Sequence, residues 1–278
     1  MRYTIKLIIL SITIFKFSSS PAQTVEQTYK LALLALNNGD TASAISLLNR
    51  VAFFASKKNN YKSLSNLYLA NIAFYQKNYN KSIKHLKWAY FASENDSLSD
   101  EITFFSTYVY LTQKDYISAE EELLNIDTSN SDYNKKRYEL YMATIGFLKK
   151  DFDQAYKHFK TIYNDTISLK KLLKKAKKIS KRNSIWYLVA SSIIPGSGQI
   201  ITGHIKQGVN SFVLISGLAI LFYQITKYYS WLEGFAVVYP WFQRYLFGGS
   251  NDAYDYAEIN KAKKLAIIYQ EITNNITK

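Results

Sequence analysis

Four stretches of the chain repeat one pattern at nearly constant intervals, and no other feature restricts the fold as tightly. They are Gly39-Asp40-Thr41-Ala42-Ser43-Ala44, Lys77-Asn78-Tyr79-Asn80-Lys81-Ser82, Lys114-Asp115-Tyr116-Ile117-Ser118-Ala119 and Lys150-Asp151-Phe152-Asp153-Gln154-Ala155. The Asp or Asn positions stand 38, 37 and 36 residues apart. A period of that size means helix pairs that bury their apolar faces only by stacking on one another. The residue types say how each pair is built. Asp40, Asn78, Asp115 and Asp151 are suited to cap the second helix by accepting from its orphan N–H groups. Tyr79, Tyr116 and Phe152 follow at once and fill the gap to the first helix, where the first copy has Thr41. Ala44, Ser82, Ala119 and Ala155 are small, so the two backbones can approach. The chain reads as all-α, with a repeat domain over residues 23–168.

This arrangement of small, aromatic and small positions in a helix-turn-helix unit resembles the tetratricopeptide repeat, whose period is about 34 residues. The resemblance implies a solenoid with a concave groove that takes extended peptides or partner helices, so a protein partner is expected there. His85 and His158 each stand three residues after the small position of their copies, which points to a shared structural slot and not to a metal pair. Glu120-Glu121-Glu122 reads as a solvated helix face. No nucleophile, acid–base pair or ligand cluster stands out, so no catalytic residue, cofactor or metal is expected. The chain has no cysteine, which excludes disulfides, thiolate metal sites and a lipid-modified N-terminal cysteine.

The net charge of +14 suggests nucleic acid until it is placed along the chain. Residues 23–168 are nearly balanced, with 17 basic and 16 acidic groups. Residues 169–183 carry eight basic groups and no acid: Lys170, Lys171, Lys174, Lys175, Lys177, Lys178, Lys181 and Arg182. Leu169, Leu172, Leu173, Ala176 and Ile179 recur among them at helical spacing, which describes a basic amphipathic linker helix. Directly before an apolar region, such a helix is expected on anionic lipid and not on nucleic acid.

Residues 184–278 read as a membrane-associated helical domain. Ile185 to Ile194 is apolar but short, Val209 to Ile225 is the best spanning candidate, and Trp231 to Phe247 is a third apolar segment with Pro240 inside it. Trp186, Trp231 and Trp241 lie here with Tyr228, Tyr229, Tyr239 and Tyr245, as in interfacial belts. Gly208 and Gly217 are expected to permit close helix contact. The turn Pro195-Gly196-Ser197-Gly198-Gln199 heads a hairpin, its glycines supplying positive φ and Gln199 satisfying freed backbone groups. His204 and Ile205 after Gly203 exclude a Walker phosphate loop. An amphipathic terminal helix is expected over Ala253 to Thr273.

Pro195-Gly196-x-Gly198-Gln199, followed by Gly203 and Gly208 and then by Tyr245, Gly248, Gly249, Ala253, Ala257 and Asn260, looks like an uncharacterised bacterial envelope family. Its members pair a PGxGQ hairpin with a Tyr-x-Gly-Gly/Asn segment, and some carry tetratricopeptide repeats upstream. The resemblance brings no activity with it, and Ile201 stands where that family has an aromatic.

Arg2, Lys6, the apolar run Leu7 to Phe15 and Ser18-Ser19-Ser20-Pro21-Ala22 form a secretory leader over residues 1–22, with cleavage expected after Ala22. The repeats are then exported, and the basic helix lies on the outer leaflet of the inner membrane. The expected protein is a non-enzymatic, membrane-anchored scaffold of the cell envelope, its repeat domain periplasmic. A further membrane protein is a second possible partner. The competing expectation is a polar site at the PGSGQ turn that handles a lipid or small solute.

Overall fold

The computed structural model describes residues 23–56, 60–129 and 131–276. Among these the only regular structure is α-helix, in agreement with the all-α reading. The expected leader and its cleavage point lie outside the described residues. The chain forms two compact units, Met1–Tyr138 and Glu139–Lys278. Packing therefore divides it inside the stretch that the sequence marks as one repeat domain.

The first unit holds α1 (Val25–Asn37), α2 (Thr41–Phe54), α3 (Tyr61–Tyr75), α4 (Tyr79–Ala92), α5 (Asp96–Thr112), α6 (Tyr116–Leu123) and the start of α7 (Asp132–Leu148). Tyr29, Leu48, Val51 and Leu69 form one core cluster, and Leu86, Ala89, Ile102 and Val109 form another. Each repeat joint is built from the same atoms. The first helix ends on a left-handed residue: Gly39, Lys77, Lys114 or Lys150, with φ of 77°, 59°, 60° and 63°. The next backbone N–H then closes the helix end, Asp40 to Ala35, Asn78 to Ala73, Asp115 to Tyr110 and Asp151 to Gly146, at 2.8–3.0 Å. The same Asp or Asn turns its side chain forward and accepts from Ser43, Lys81, Ser118 or Gln154 N–H at 3.0–3.2 Å. One residue thus stops one helix and starts the next.

The small positions Ala44, Ser82, Ala119 and Ala155 are fully buried. Ser82 Oγ donates to Ala70 O at 2.8 Å, so its hydroxyl is satisfied inside the core. In the fourth copy Gly146 completes the approach, since a methyl group there would stand 2.7 Å from Ala155 N. His85 and His158 occupy equivalent slots: each Nδ1 meets a side chain nineteen residues earlier, Asn66 Oδ1 at 3.1 Å and Glu139 Oε2 at 2.8 Å. Of the acidic run, Glu122 is half-buried, and burial raises its carboxyl pKa, so the solvated-face reading does not hold for it.

The second unit holds the rest of α7, then α8 (Phe152–Ile162), α9 (Thr166–Ser180), α10 (Ile185–Ile193), α11 (Ser197–Ile201), α12 (Ile205–Tyr228) and α13 (Trp231–Ile276). Two sequence expectations change here. The apolar stripe of the basic helix α9 does not face lipid. Leu169, Leu172, Leu173, Ala176 and Ile179 are all buried in one cluster with Phe147, Phe159, Ile268 and Ile272. The stripe is a core face, and its lysines remain on the solvent side. The third apolar segment and the terminal helix are one element: α13 runs 46 residues without a break, through Pro240. Its far end packs on the fourth repeat pair, with Tyr269 against Phe147 at 5.3 Å and its hydroxyl 2.8 Å from Thr144 Oγ1.

Candidate functional site

Small residues dictate how α10, α11, α12 and α13 meet. Gly196 has φ of +87°, and a Cβ on it would lie 1.9 Å from Gly208 O. A Cβ on Gly198 would meet Tyr187 O at 2.2 Å and Ala253 Cβ at 2.8 Å. These contacts bring four helices close enough to exchange polar groups, and Gln199 is the centre of the exchange. It is almost fully buried. Its Oε1 accepts from Ser191 Oγ at 2.7 Å, and its Nε2 donates to Gly249 O at 2.6 Å and to Ser211 Oγ at 3.4 Å. Ser191 Oγ also accepts from Gly198 N–H at 2.9 Å. One amide ties α10, α12 and α13 together and leaves none of its groups open. In a low-dielectric site an unpaired amide is costly, so the arrangement is a polar interlock inside apolar surroundings.

Both motifs meet at this interlock. Gly249 stands beside Ser211 and Gln199, Ala253 against Gly198, and Asn260 Nδ2 donates to Thr202 O at 2.8 Å. Ala257 is buried. Pro195 is half-buried at the start of the turn, and Gly203 takes φ of +91° at its end with open space where a Cβ would be. Tyr245, Gly248 and Gly217 stand apart. Tyr245 stacks on Trp241 at 6.4 Å, and nothing lies within 4 Å of a Cβ built on Gly248 or Gly217. Among the described residues the expected close contact at Gly217 is therefore absent, while that at Gly208 is present.

Sequence reasoning missed four hydroxyl partners. Ser191 and Ser211 complete the interlock, and Ser192 Oγ donates to Ser250 Oγ at 3.0 Å beside it. Hydroxyl residues in apolar helices carry that signal, since each needs an internal acceptor. His204 stacks on Tyr256 at 3.6 Å, an interplanar angle of 8°.

Beyond the interlock, α12 and the first half of α13 form a hairpin closed by Tyr229 and Ser230. Ser230 Oγ accepts from Glu233 N–H at 3.3 Å, which caps α13. Gly234 lets the tip close, its Cβ position lying 2.9 Å from Thr226 Oγ1. Helix α12 is long and apolar enough to cross a membrane, and little of its apolar window is buried. Phe212, Val213, Ile220, Leu221 and Phe222 of α12 are exposed, as are Leu232, Phe235, Val237, Trp241 and Phe247 of α13.

In the first unit, a separate cleft of about 470 Å³ is lined by Phe53, Lys62, Asn66, His85, Trp88 and Phe91. Phe53 and Phe91 are 78 % and 71 % exposed, and Lys84 Nζ lies 4.8 Å from the Trp88 ring centroid. Burial, aided by Lys81 and Lys84, lowers the His85 pKa to about 4, so its imidazole is neutral at pH 7. No group of metal-binding side chains occurs among the described residues. No protein-family model and no curated protein sequence matches the chain.

Proposed function

We propose that the protein is a non-enzymatic scaffold of the bacterial cell envelope, anchored by the α12–α13 hairpin and binding a protein partner through its tetratricopeptide-like repeats. The exposed apolar surface of the hairpin carries this reading. Ten large apolar side chains left in water are unfavourable by on the order of 10 kcal/mol, which hydrocarbon removes. Twenty-four residues of helix measure about 36 Å, which suits a hydrocarbon core of about 30 Å. Lys227, Tyr228, Tyr229 and Trp231 at the tip have the character of a far interface. The aromatic cleft of the first unit supports the partner role, because exposed Phe and Trp rings beside a desolvated polar pair favour peptide burial. The repeats are periplasmic in this reading, and the hairpin enters the inner membrane from that side. The competing solute site at PGSGQ gains no support, since both ends of the Gln199 amide are already engaged.

The absence of native cysteine makes the test direct. Cysteines placed at Lys175 and at Ser230, one at a time, are probed in spheroplasts with a membrane-impermeant thiol reagent. Lys175→Cys is expected to react in intact spheroplasts and Ser230→Cys only after lysis. Equal reaction at Ser230 before lysis means that the hairpin does not cross, and protection of Lys175 means that the repeats are not exported. A photo-crosslinker at Phe91 is expected to give one discrete adduct that Trp88→Ala abolishes. Failure to crosslink removes the partner role.

A further inference from the structure

Where the end of α9 meets α13, a cleft of about 230 Å³ is lined by Arg182, Tyr187, Thr202, Asn260, Lys261 and Lys264, among others. Three of these six are cations, drawn from two segments that are distant in sequence. Lys261 is fixed in place: its Nζ donates to Arg182 O at 3.1 Å and to Glu258 Oε1 at 3.0 Å. An ammonium has three N–H groups, so one remains for a ligand. Glu258 is the nearby carboxylate, and it is already engaged by Lys261 and by Ser184 Oγ, which donates to it at 2.6 Å. The Arg182 guanidinium and the Lys264 ammonium have no polar partner among the described residues. Three positive groups against one occupied carboxylate leave a surplus of positive charge, with Tyr187, Thr202 and Asn260 supplying polar edges.

The position of the cleft along α13 narrows what it can bind. From Trp231 at the tip to Ala257 at the cleft, the helix rises about 39 Å, close to the 40–45 Å of a bilayer with its headgroups. Exposed Trp186 and Ile201 flank this level, at 71 % and 66 %. A ligand here meets cations on one side and hydrocarbon on the other. We infer that the cleft is a phosphate site that takes the headgroup of an anionic phospholipid, with free phosphate as the same chemistry without the lipid. The inference deepens the anchoring reading and depends on it for the lipid source. It separates one built site from the diffuse attraction of the lysines along α9.

The test uses the full chain in neutral detergent, with native mass spectrometry counting the lipids retained. Phosphatidylglycerol is offered against phosphatidylcholine, and inorganic phosphate is added as a competitor. One phosphatidylglycerol per chain is expected to be retained in preference to phosphatidylcholine. The double variant Arg182→Gln, Lys264→Gln is expected to lower that occupancy about tenfold or more, having lost two charge-assisted contacts. Lys170→Gln with Lys171→Gln makes the same change of charge on the exposed face of α9 and is expected to leave occupancy unchanged. Binding of inorganic phosphate that the first double variant alone loses supports the site and assigns it to the free anion. Equal retention of both lipids, with no selective loss of phosphate, overturns the proposal, and so does an equal loss of binding in the two double variants. Thermal unfolding confirms that each variant remains folded. Anchoring is read separately, from the chain's behaviour once detergent is removed. A monodisperse chain that still binds phosphate keeps the cleft and loses the membrane.

Discussion

No methyl group fits between Gly196 and Gly208, and the hairpin head is built around that fact. Gly196→Ala combines a left-handed φ with a backbone collision and should destabilise the second unit by about 3 kcal/mol or more. Gly248→Ala meets nothing within 4 Å and should be near neutral or slightly stabilising, as expected for a helical Gly replaced by Ala. Thermal unfolding in detergent checks the pair, and similar melting temperatures for both would contradict the geometry. His85 offers a second prediction at this scale. Its folded pKa of about 4 lies below the unfolded value of 6.5, so between those limits the unfolded chain binds more protons. Stability is therefore complete above about pH 6.5 and falls as pH drops towards 4, by about 2–3 kcal/mol from this group. His85→Gln should lose less stability than wild type between pH 7 and pH 4.5 in urea unfolding. Parallel losses would mean that His85 is not desolvated. The capping Asp and Asn residues were legible because their chemistry is specific to helix starts. The left-handed Lys77, Lys114 and Lys150 were not, because lysine carries no such preference and only Gly39 announces the joint.

At the scale of helices, periodicity identifies an apolar face but not what covers it, and α9 shows the difference. Its lysines suggested lipid beneath the stripe, whereas Leu169, Leu173 and Ile179 fill the core under α13 and α8. Leu173→Ala should cost about 2–5 kcal/mol in unfolding and leave the membrane-bound fraction of folded protein unchanged. A helix lying in the interface would give the reverse, with stability kept and attachment weakened. Helix α13 reads as two elements in the sequence, Trp231 to Phe247 and Ala253 to Thr273, with Gly248-Gly249 between them as turn punctuation. The helix nevertheless continues through both, from Trp231 to Ile276.

Across the molecule, the repeat period marked four similar pairs but could not assign them to packing units. The fourth pair closes its core with Ile268, Tyr269 and Ile272, more than a hundred residues later, and a local pattern contains no trace of that contact. The PGSGQ turn and the Gly249-Ala253-Ala257-Asn260 face were visible as separate motifs. Only the fold shows that they are two sides of one joint, centred on Gln199. Because α13 runs unbroken from the hairpin tip to the fourth pair, about 69 Å, it acts as a lever whose fulcrum is that joint. If the hairpin spans a bilayer as proposed, thinner or thicker lipid changes its inclination, and an inclination of about 10° swings the distal end of the lever sideways by about 7 Å. In the anchored reading proposed above, bilayer thickness, and not a hinge in the chain, then sets the sideways position of the last helix pair over the surface.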